Sequence, residues 1–132
     1  MAKRNFVRLN TGPVLFTIIG ISSHENDYRL SWSINEQMGL AFVQGDSLVA
    51  HTGNKFACFV HEDEDQRIWL VSNRCDNGFL LEKYKNFDFI LKFDAALNET
   101  ETNTWLHDLR KVPLVSAVFP ISVTKQMVQI LG

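Results

Sequence analysis

Cysteine is scarce in this chain: Cys58 and Cys75 are the only two among 132 residues. They lack the spacing of a metal knuckle and fit free thiols in a reducing cytoplasm. Charge of one sign is also missing. Thirteen basic residues against fifteen acidic ones leave a net charge of −2, without the basic face that nucleic-acid binding needs. No apolar run approaches the ~20 residues required to span a membrane. Lys3, Arg4 and Arg8 open the chain without the apolar stretch that would make them a signal peptide. There is no Gly-rich phosphate loop, no metal cluster, and no nucleophile–base pair with readable spacing. A soluble, cytoplasmic protein is expected, with no cofactor, no metal, no nucleic acid and no membrane contact. Residues 1–132 should form one domain, large enough to bury a core without staples, with 1–12 and 122–132 as loose or docking tails.

What the chain does have is an organised stretch from Gly20 to Phe42. Ser22 followed by Glu25 has capping-box spacing, and Gly39 stands where a left-handed helix end is wanted. Between them, Glu25, Asn26, Arg29, Ser33, Glu36 and Gln37 are assigned to a polar side. Leu30, Ile34 and Met38 form an apolar seam flanked by Tyr28 and Trp32. His24, Asp27, Ser31 and Asn35 share the apolar arc, where buried polar groups need partners. Two readings follow. Either His24 and Asp27 bond loop amides at the positive helix end, or His24, Asp27 and Asn35 make a polar site at the helix mouth.

The rest reads mainly as strands. Val14 to Ile19 is short, apolar and rich in β-branched residues. Leu40–Val43 and Ser47–His51 are weaker extended pieces. Phe56–His61 and Arg67–Asn73 are joined by Glu62-Asp63-Glu64-Asp65-Gln66, a solvated hairpin tip. That run lacks the alternate ligands and glycine of a calcium loop, and His61 shows no ligand pattern. Asn77-Gly78 is a turn signal, with Arg74 and Asp76 beside it. In Phe87–Phe93, Phe87, Phe89, Leu91 and Phe93 alternate with Asp88, Ile90 and Lys92, giving a core-anchoring strand. Asn98 with Glu101 caps a second helix, Glu99 to Lys111, with Trp105, Leu106 and Leu109 inward and His107 off the stripe. Val115, Ala117, Phe119 and Ile121 then alternate, and Pro120 puts that strand at a sheet edge. Val123, Met127, Ile130 and Leu131 have helical spacing in a tail that docks on the body or serves association.

The order strand, helix, strand, strand, strand, helix, strand predicts an α+β fold. It would be two-layered, with a mostly antiparallel sheet carrying both helices on one face, ferredoxin-like or elaborated from that unit.

The residues Gly20-Ile-Ser-Ser-His24, Asp27-Tyr-Arg-Leu30, Trp32 and Ile34-Asn35 resemble the N-terminal signature of the IPExxxVDY family, small proteins of the Bacteroidetes type. Ser72-Asn73-Arg74, Asn77-Gly78-Phe79-Leu80 and Leu109-Arg110-Lys111-Val112-Pro113 are similar to its later segments, so the likeness spans most of the chain. At the naming motif, Leu81, Glu82 and Lys83 hold the first three positions and Phe87-Asp88-Phe89 the last three. Only Asp88 keeps the motif residue. The resemblance implies no activity.

Three functions fit the sequence. One is a non-enzymatic domain that binds a protein partner as a homodimer, through the edge near Pro120 or the apolar tail. Another is a small-molecule sensor binding a metabolite at a dimer interface, with Arg29, Arg74 and Asp88 as polar contacts. The last is an enzyme in which Asp27 orients His24 as general base, although nothing nearby supplies a nucleophile. The candidate binding residues are therefore His24, Asp27, Arg29, Asn35, Arg74 and Asp88, with no catalytic or metal residue assigned.

Overall fold

A computed structural model describes residues 16–132. The expected loose N-terminal arm, Pro13 and the start of the Val14–Ile19 run lie outside those residues. The fold is α+β, with a mostly antiparallel sheet. β1 (Ile18–Ser22) leads into α1 (Asp27–Met38); β2 (Val43–Gln44), β3 (Leu48–Val49) and β4 (Lys55–Phe56) are short. β5 (Cys58–Glu62) and β6 (Arg67–Ser72) form the central hairpin, followed by the small β7 (Arg74–Cys75) and β8 (Gly78–Phe79) pair and a helical turn at Glu82–Tyr84. β9 (Phe89–Phe93), α2 (Glu99–Leu109), β10 (Ala117–Ile121) and α3 (Lys125–Leu131) complete the described chain.

The main sheet runs β10-β1-β9-β6-β5-β2, with every neighbouring pair antiparallel. α1 follows β1 and α2 follows β9, and both helices pack on one face over Ile19, Leu70, Leu91 and Phe93. The reverse face has its own cluster, in which Phe16, Ile18, Val71 and Ile90 meet Leu80, Met127 and Leu131. β9 is therefore covered on both sides, and the apolar C-terminal tail docks as α3. Pro120 lies opposite Ile19 on the outermost strand, where a missing N–H costs no internal ladder bond. No helix among the described residues is long and apolar enough to cross a membrane.

Several details depart from the sequence expectations. α1 is capped by Asn26, whose side chain accepts the Arg29 N–H at 2.9 Å, and not by a Ser22/Glu25 box. Ser22 is held in β1 opposite Ala117 and donates its hydroxyl to the Asn86 carbonyl, so the helix begins four residues later than the spacing implied. Gly39 does end the helix at φ 67°, donating to the Asn35 carbonyl. Trp32 does not flank the buried seam. It sits two residues, about 200°, from both Leu30 and Ile34, and so points outward, whereas Tyr28 keeps a flanking place with its ring edge-on to Phe59. Ser33 takes the inward place and is buried.

Phe87 precedes β9 and turns to the reverse face, away from Phe89, Leu91 and Phe93. Its ring fills the space over Gly20, where an added Cβ would come within 2.6 Å of it. In β10 the buried residues are Val118 and Ile121, while Phe119 is half exposed against Phe87. The second helix forms as expected, with the reciprocal Asn98/Glu101 box and Trp105 edge-on to Phe93, but it ends at Leu109.

Candidate functional site

Three strand ends meet where α1 begins. Ser72 and Ile21 both lie opposite Phe89, so the exit of β1, the exit of β6 and the entry of β9 are neighbours. Between them opens a cleft of about 410 Å³, lined by Ser23, His24, Glu25, Asn26, Asp27, Ser72, Arg74, Asp88 and Phe89. His24, Asp27, Arg74 and Asp88, distant in sequence, are thereby brought to one place.

The floor is built by Asp88. Its carboxylate accepts the Ser23 N–H at 2.9 Å and pairs with the Arg74 guanidinium, while its backbone joins β1 and the Asn73 amide. Ser23 is buried; its hydroxyl donates to the Leu114 carbonyl at 2.7 Å and accepts the Glu25 N–H. Asp27 accepts its neighbour Tyr28's N–H at 2.8 Å, reinforcing the helix start where negative charge is favoured. His24 is exposed, and no hydrogen bond among the described residues joins it to Asp27. The Ser72 hydroxyl donates to the Arg74 carbonyl. Among the described residues, the Ser23 and Ser72 hydroxyls bond backbone groups, and the carboxylates bond backbone N–H groups, Arg29 or Arg74, so none of the hydroxyls sits beside a base. The arrangement is suited to binding. Glu25, Asp27 and Asp88 against Arg74 make the lining predominantly acidic.

Two predicted site residues lie elsewhere. Asn35 is a structural clamp: its side-chain oxygen accepts the Phe42 N–H at 2.8 Å, and its amide donates to the Phe42 carbonyl at 3.1 Å. That closes the turn after α1. Arg29 is exposed on the helix and pairs with Glu25 at 2.8 Å, one turn back. Among the described residues no group of three or more His, Cys, Asp or Glu side chains is placed to hold a metal.

Sequence reading missed three organising residues. Asn73 is fully buried, donating to the Tyr84 and Phe87 carbonyls and accepting the Leu81 N–H, so one side chain fixes the whole segment before Asp88. Its position ahead of the Asn77-Gly78 turn was the available signal. His61 is buried on β5; Nδ1 accepts the Ala41 N–H at 3.0 Å, which leaves Nε2–H to donate to Asp63 at 2.9 Å. That bond, with the Asp65 and Gln66 amides, holds the Asp63 carboxyl below its usual range. Lys92 lies 4.5 Å above the Trp69 ring and 4.9 Å from that of Phe16, and it donates to the Leu131 carbonyl, tying α3 to the sheet. Burial lowers its pKa.

Outside the cleft, α1 shows large aromatic surface. Tyr28 is 60% exposed and Trp32 64% exposed, one turn apart; Trp32 faces away from the core, and Tyr28 lies at its margin beside β2. The Tyr28 hydroxyl donates to Gln44 on edge strand β2, and its ring stands edge-on to Phe59 at 5.5 Å. No family model matches the chain, and no curated protein matches it.

Proposed function

We propose that this is a non-enzymatic protein-interaction domain whose partner docks on the outer side of α1, with the adjoining cleft providing polar contacts. The observation that carries this reading is the outward exposure of Tyr28 and Trp32 on a helix whose buried arc is already complete. Tyrosine and tryptophan supply large contact area at small entropic cost and are enriched among residues that dominate interface energies. The first turn of α1 serves both surfaces, since Asp27 lines the cleft and Tyr28 next to it is exposed. The resemblance to the IPExxxVDY family belongs to the same proposal. Residues that carry it, including His24, Asp27, Ser72, Arg74 and Asp88, gather around the cleft, which supports a common surface. A cytoplasmic setting is proposed with it, supported by the unpaired thiols of Cys58 and Cys75.

The test is a tagged pull-down from the native host at physiological salt. Wild type is compared with folded Tyr28→Ala/Trp32→Ala and Asp27→Ala/Arg29→Ala variants. A stoichiometric partner that is lost from the aromatic variant and weakened in the polar one is expected. A partner retained by both would place the interface elsewhere.

A second reading, a metabolite-sensing domain, is favoured by the cleft's volume, which falls within the ~300–1,000 Å³ range of small-ligand sites. A metabolite that raises the melting temperature of wild type, but not of Arg74→Ala, would put that reading first.

A further inference from the structure

The outer face of α1 has a charge pattern that matches itself when reversed. Viewed down the helix, Trp32 occupies the outward centre with Tyr28 beside it, and Arg29 and Glu36 lie on the same flank. Both charged residues are exposed. Arg29 stands toward the start of the helix and Glu36 toward its end. When two such helices pack antiparallel about a two-fold axis, each flank meets the same flank of the other copy. An axis passing between Trp32 and Ser33 sets Arg29 of each copy against Glu36 of the other, twice by symmetry. It also sets the two Trp32 side chains beside each other at the axis, with Tyr28 outside them. Glu25 then falls opposite the position after Gly39, beyond the helix end, and meets no like charge. The Arg29–Glu25 pair within one copy is exposed and readily exchanged, because such surface pairs hold little energy.

We infer that the occupant of this face is a second copy of the chain, bound through an antiparallel α1–α1 contact centred on Trp32. The inference rests on the proposal that α1's outer side is an interface and adds the identity of the partner. The helix offers about 18 Å of contact length, and four aromatic side chains supply most of the apolar area. That is small beside a standard interface, so the dimer should be reversible, dissociating at about micromolar concentrations or above.

The deciding experiment is sedimentation across a concentration series, using wild type, Arg29→Glu, Glu36→Arg and an equimolar mixture of the two variants. In either variant alone, both symmetric contacts become like-charged, and dimerisation should weaken about tenfold or more. In the mixture, each contact is again a carboxylate against a guanidinium, and dimers should return to near the wild-type level. That recovery requires residues 29 and 36 to face each other across the contact between copies, and a distribution that stops at dimer identifies the contact as two-fold. Circular dichroism and melting of each variant verify the helix, because Arg29→Glu also sets two glutamates one turn apart. Three outcomes overturn the inference: monomeric wild type throughout, variants that dimerise like wild type, or a mixture that stays monomeric. If the inference fails while the pull-down still yields a partner lost with Tyr28→Ala/Trp32→Ala, α1 is an interface for a different protein. If both fail, the interface reading falls as well.

Discussion

Asn73 shows how much of this architecture can depend on one side chain. It is inaccessible to solvent, and its amide serves two carbonyls and one N–H in the segment that delivers Asp88 to the cleft. Asn73→Ala would leave those three backbone groups buried and unpaired, and should cost about 3–5 kcal/mol in urea unfolding. Asn73→Asp should be no better, since a carboxylate would face the Tyr84 and Phe87 carbonyls without a proton to donate. An aspartate variant near wild-type stability would show that the donor half of this network is dispensable. Cys58 allows a separate test through pH. Burial pushes its thiol from 9.0 up to about 11, so the native state keeps its proton over a window in which the unfolded chain loses it. The unfolded state binds fewer protons there, and stability should fall as pH rises from about 9 to about 11, by about 2–3 kcal/mol in all. Lys92 works in the opposite direction. Burial lowers its pKa, so the cost of holding it charged is relieved as pH rises. Comparison with Cys58→Ala separates the two: the stability advantage of wild type at about pH 8 should shrink by about pH 11. A constant difference would contradict the assignment.

At the level of elements, the segments were legible and their boundaries less so. Alternating β-branched and aromatic runs marked β5, β6, β9 and β10, and Asn98 with Glu101 marked the start of α2, because those signals are local. The Ser22/Glu25 box failed although its spacing was correct. Strand pairing with β10 holds Ser22 extended, which tertiary context decides and local sequence cannot. A direct contrast follows for α1. Asn26→Ala should cost about 1 kcal/mol in thermal or urea unfolding through loss of the cap, whereas Ser22→Ala should leave the helix content unchanged. Equal losses of helicity would restore Ser22 as the cap. Phe87 was misplaced for a similar reason, since alternation applies only inside a strand and β9 begins at Phe89.

For the molecule as a whole, four of the six candidate site residues converge although nothing in their spacing joins Asp27 to Arg74 or Asp88. The cleft became visible only once the order β1-β9-β6 set three strand ends side by side. Asn35 looked like the same class of residue, but its polar groups are consumed by Phe42. The aromatic face of α1 was hidden by the opposite error. Tyr28 and Trp32 are expected to flank the buried seam, yet more than half of each is exposed once Leu30, Ile34 and the buried serines have filled the core side. A pair of exposed aromatics is costly to leave in water, and an interface gives it a use. Hydroxyl-radical footprinting tests that most directly, with wild-type protein in dilute solution, in concentrated solution and in native-host extract. Phe119, half exposed on β10, serves as an internal reference. Tyr28 and Trp32 should be oxidised readily when dilute and be protected, relative to Phe119, on concentration or in extract. Unchanged oxidation of both across all three conditions would contradict an interface on α1.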